Sequence, residues 1–134
     1  MFKPLLLCTL VVSFAALAGE SSPLIVDRHI PSTALWAFPI DEGLVPKKGD
    51  FEIRHYTLMS SREGERWATL TIENKARSQR GLDTTHLVAL FADGSRRFPT
   101  SVSLNFKGEE VQSLAVYFGE SQFPILSVYT ANDL

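Results

Sequence analysis

Arg66-Trp67-Ala68-Thr69-Leu70-Thr71-Ile72-Glu73 is the stretch that decides the fold. Ala68, Leu70 and Ile72 alternate with Trp67, Thr69 and Thr71. A period of two puts one set on the core face of a β-strand and the other on the opposite face. The run before it, Phe51–Ser60, is also strand-like. Arg62-Glu63-Gly64-Glu65 reads as the turn between them, and polar residues 74–84 read as a loop. Leu87-Val88-Ala89-Leu90-Phe91-Ala92 is apolar at every position, which suits a central strand. Asp93-Gly94 follows at once and signals a two-residue hairpin into Ser95-Arg96-Arg97-Phe98, because Gly adopts positive φ at little cost. Val102, Leu104 and Phe106 alternate, Lys107-Gly108-Glu109 turns, and Leu114, Val116 and Phe118 alternate again. Pro124 leads into a last strand over residues 125–130. Six or seven short strands with no helix-period segment predict an all-β antiparallel sandwich.

The layout of residues 66–118 resembles an immunoglobulin-like or fibronectin-like sandwich of about seven strands. The Thr-Leu-Thr-Ile-Glu-Asn strand, the Phe-Ala-Asp-Gly hairpin and the Gly-Glu-Glu turn before the penultimate strand carry the likeness. It is a likeness of fold, and it transfers no functional residue.

Residues 1–18 read as a cleavable secretory signal. Lys3 supplies the positive start, residues 5–17 are apolar apart from Thr9 and Ser13, and Ala16-Leu17-Ala18 places small residues at a cleavage site. Residues 19–50 are expected to run extended, since Pro23, Pro31, Pro39 and Pro46 leave no room for a normal helix. Leu24-Ile25-Val26 is a short strand candidate, and residues 34–40, with Trp36 and Phe38, are an apolar docking stretch. Residues 51–134 form the β-sandwich domain.

Cys8, inside the signal, is the only cysteine. The exported chain is thus expected to have no disulfide or thiolate, which fits a bacterial envelope better than a small eukaryotic secreted domain. Cys8 sits too early in the apolar stretch for a lipoprotein acceptor. No later run approaches the roughly 20 apolar residues of a membrane span. The formal net charge of −2 is too mild to imply a nucleic-acid partner. Residues 51–107 carry nine basic and six acidic side chains, and residues 108–134 carry four acidic and no basic ones.

Candidate chemistry is sparse. His29, His55 and His86 lack ligand spacing, so no metal or other cofactor is expected. Serines such as Ser60, Ser61 and Ser78 lie outside any nucleophile motif, and the pairs Glu63/Glu65 and Glu109/Glu110 lie in turns where carboxylates ionise normally. The chain is therefore read as non-catalytic. Arg77, Arg80, Arg96 and Arg97 are the first candidate binding residues, because the 74–84 loop and the 93–94 hairpin could share one end of the sandwich and arginine clusters grip carboxylates and phosphates. Trp67 is second: it is out of phase with the core residues and can stack on a partner, although the preferred expectation is that it packs under residues 19–50, against Trp36 or Phe38, whose side chains need somewhere to bury.

The expected function is that of an exported, periplasmic or secreted, binding or adaptor domain for an envelope protein, peptide or other envelope component. An accessory subunit engaged through residues 19–50 and a carbohydrate-binding module using Trp67 are the alternatives.

Overall fold

The computed structural model describes residues 22–28 and 44–134. The signal with Cys8, His29, and the apolar stretch with Trp36 and Phe38 lie outside the described residues.

The described chain is all-β and antiparallel, with two short 3-10 turns. Its strands are β1 (Ile25–Val26), β2 (Phe51–Ser60), β3 (Glu65–Asn74), β4 (Arg80–Asp83), β5 (Val88–Phe91), β6 (Arg96–Arg97), β7 (Ser103–Phe106), β8 (Val111–Glu120) and β9 (Ile125–Tyr129). A four-stranded sheet has the order β1-β2-β3-β8, a three-stranded sheet β6-β5-β9, and β4 pairs with β7 alone.

Alternation builds the core as the sequence implies. Ala68, Leu70 and Ile72 of β3 are fully buried beside Leu58 of β2 and Val116 and Phe118 of β8. This inner face packs with Ala89, Phe91, Ile125 and Val128 of the three-stranded sheet and with Leu82 and Phe106 of the β4–β7 pair. Val88 and Leu90, on the other side of β5, bury against Tyr129, Leu44 and Phe98. β5 is thus covered on both faces and lies between β6 and β9, as its uninterrupted apolar run requires.

Three details differ from the sequence reading. The described residues hold nine strands, and the 74–84 stretch contains β4. That strand has one apolar side chain, Leu82, so no alternation could reveal it; pairing with Leu104 buries it. The Asp93-Gly94 hairpin closes one residue wider than expected. Phe91 N donates to Ser95 O and Gly94 N to Phe91 O, with Gly94 at φ +84°. The Arg62-Glu63-Gly64 loop repeats this arrangement: Gly64 N donates to Ser61 O at φ +86°. Both are three-residue loops ending in a left-handed glycine.

Candidate functional site

The four expected arginines do not form one cluster. Arg80 pairs with Asp50 at 2.9 Å and donates to Ser78. Arg77 shares its loop, which Asn74 ties to the 107–110 turn by donating to Ser78 O and Lys107 O. Arg97 donates to Glu120 O at 2.7 Å and lies 4.7 Å over the Phe91 ring. Arg96 donates to the Tyr129 hydroxyl. β3 connects the two neighbourhoods: Glu65 faces Glu120 at one end, and Asn74 stands at the other. Ten residues of strand separate the ends by about 30 Å. The reason is topological. β4 and the turn after it stay at the Asn74 end, where His86 packs on Phe51, and β5 then carries the chain to the 93–94 hairpin, so the two loops emerge at opposite ends.

The hairpin end gathers a different set. Arg62, Arg66 and Arg97 line an open cleft of about 740 Å³ with Glu63, Asp93 and Glu120. Arg66 spends its donors on Ser121 O and Ser60 Oγ. A bulge lies beside Arg97: β8 takes four residues, Tyr117 to Glu120, against the three from Glu65 to Trp67. Gly119 turns there at φ +89°, and a Cβ on it would stand 3.3 Å from Arg97 Nη1. Equal numbers of cations and carboxylates leave this cleft without a net preference for anions. Arg62 and Arg66 flank the Gly64 hairpin in the sequence; only the pairing of strand ends would have singled them out.

Trp67 lies where its phase predicts, on the outer face of the four-stranded sheet. The register places Val26 opposite Met59, Met59 opposite Trp67, and Trp67 opposite Tyr117. Directly opposed residues share a face, so one row of apolar and aromatic side chains crosses all four strands. Trp67 and Tyr117 stack with ring centroids 4.7 Å apart and planes 28° apart. Val26 is 63% exposed. Trp67 Nε1 is covered and has no hydrogen-bond partner among the described residues, which costs about 1–3 kcal/mol for such a donor. Sequence reasoning missed Met59 and Val26, whose contribution depends on cross-strand register.

The next rows are polar. Thr57, Thr69 and Ala115 stand side by side. Beyond them Thr71 Oγ1 contacts His55 Nε2 at 3.2 Å and Ser113 Oγ at 2.9 Å. At the far end Glu73 is ion-paired with Arg54 and lies near Lys75.

His86 has a structural place. It is buried, edge-on to Phe51 with ring centroids 5.1 Å apart, and its Nδ1 accepts from the Asp83 amide. A neutral ring with an accepting Nδ1 carries its proton on Nε2. Asp83 caps the same turn by accepting from the Thr85 amide. Among the described residues no three His, Cys, Asp or Glu side chains converge. No helix there is long and apolar enough to cross a membrane.

No protein-family model, curated protein or solved structure matches this chain.

Proposed function

We propose that this chain is an exported, non-catalytic binding domain of the bacterial envelope, of immunoglobulin-like type, that holds a protein or peptide partner on the outer face of its four-stranded sheet. The carrying observation is the Val26–Met59–Trp67–Tyr117 row. A contiguous apolar strip bordered by a row of Thr and Ala and a row of His, Thr and Ser is what partner-binding surfaces are built from. Tryptophan and tyrosine at such a centre carry much of an interface's affinity. Two sheets facing one core support the immunoglobulin-like assignment. Export rests on the character of residues 1–18. The reading moves the binding site from the arginines to Trp67.

The test is affinity capture from an envelope extract with the processed chain, residues 19–134, beside a Met59→Ser/Trp67→Ser variant with unchanged circular dichroism. A partner lost in the variant supports the reading; a partner kept by both places the site elsewhere. Stacking on Trp67 beside the His55–Thr71–Ser113 row favours a second reading, a carbohydrate-binding module. A Trp67 fluorescence change with soluble glycans, and no captured protein, would select it.

A further inference from the structure

The row ends beside an unusual pair. Glu65 and Glu120 face each other in register, two residues along β3 from Trp67 and three along β8 from Tyr117. Glu65 lies two residues from Trp67 on the same strand and so shares its face. The bulge at Gly119 keeps Glu120 on that face as well. Like charges directly opposed across a ladder destabilise it. Neither carboxylate has a hydrogen bond or ion pair among the described residues. Of the cations in the adjoining cleft, Arg97 directs Nη1 to the carbonyls of Phe118 and Glu120, Arg66 donates to Ser121 O and Ser60, and Arg62 lines the same cleft. Two carboxylates that make no ion pair among the described residues thus border a half-buried, stacked aromatic pair on the outer sheet face.

Given that this face binds a protein or peptide, we propose that the contact is a lysine or arginine side chain of the partner, laid over the Trp67–Tyr117 stack with its charge between Glu65 and Glu120. An aromatic face attracts a cation through its quadrupole, most strongly for tryptophan. The carboxylates add Coulomb attraction and accept its N–H donors. The aliphatic stem of that side chain would cover the row towards Met59. A cation there also relieves the Glu65–Glu120 repulsion, which an acidic or neutral partner leaves in place.

The experiment uses the protein with Trp36→Phe, so that Trp67 is the sole tryptophan. The probes are capped pentapeptides of glycine and leucine with a central arginine, glutamine or glutamate. Trp67 fluorescence reports binding, and amide shifts on β3 and β8 locate it. The expected result is a response to the arginine peptide that weakens about tenfold in Glu65→Gln/Glu120→Gln and weakens with added salt. Equal responses to the three peptides, or an arginine response untouched by the double substitution, would overturn the cation while leaving the binding face intact. No response to any peptide, with capture still dependent on Trp67, would overturn it too. Capture that ignores Trp67 is the separate failure of the underlying reading.

Discussion

Burial holds the Tyr117 hydroxyl above the ordinary phenol range, and Glu120 and then Glu65 add to the effect; Arg97 pulls the other way. A raised phenol value means that the folded chain holds this proton more tightly than the unfolded one. That contribution is complete below about pH 10 and is lost as pH rises through the folded value. In a phenolate absorbance titration Tyr117 should therefore ionise above pH 10, Glu120→Gln should bring it down, and Tyr117→Phe should remove it. A Tyr117 titration unmoved by Glu120→Gln would put that carboxylate away from the ring. Asp83 is shifted oppositely, chiefly because the Thr85 hydroxyl donates to it. At this scale the phase of Trp67 was legible, since alternation alone says which way a strand residue points. Its stacking partner was not, because Tyr117 is 50 residues away and meets it only through the β3–β8 register.

Turns show how elements divide their constraints between neighbouring residues. In the 107–110 turn Gly108 is needed for space: a Cβ there would lie 2.0 Å from the Arg77 carbonyl oxygen. The left-handed conformation falls instead on Glu109, at φ 62°. Its amide donates to Ala76 O, and Lys107 N donates to the Glu110 carboxylate, so the turn is held despite the residue type. Glu109→Gly keeps that backbone bond and should stabilise the protein by about 1 kcal/mol in urea unfolding, whereas Gly108→Ala should destabilise it. A loss of stability in Glu109→Gly would show that the Glu109 side chain contributes more than its conformation costs. Lys107-Gly108-Glu109 reads as a turn from composition. Which of its residues takes positive φ depends on how closely the 75–79 loop packs, and sequence carries no local trace of that. β4 was hidden for a related reason: Gly81 and a single buried leucine give no period.

Across the molecule, the end of β9 is fastened to the start of β2. Thr130 Oγ1 shares its one proton between Phe51 O at 3.0 Å and Asp133 Oδ2 at 2.8 Å, and Asn132 Nδ2 donates to the same Phe51 oxygen at 2.8 Å and to Gly49 O. This links strands of the two main sheets at the end away from the hairpin cleft. Thr130 is buried, so Thr130→Val, close to isosteric, should cost about 1–2 kcal/mol with the β signal in circular dichroism unchanged. Unchanged stability would assign the fastening to Asn132 alone. By itself the sequence determined the all-β class, the strands with strong alternation, the burial of β5 and the outward face of Trp67. Each follows from side-chain period and apolar content, which are local quantities. Only the tertiary structure decided which strand ends meet. It separated Arg77 and Arg80 from Arg96 and Arg97, gathered Arg62 and Arg66 instead, and set Glu65 and Glu120 beside the aromatic row. Those outcomes depend on how many times the chain crosses the molecule and on the register of each pair. Both are set by packing between residues far apart in the chain, and no single stretch encodes them.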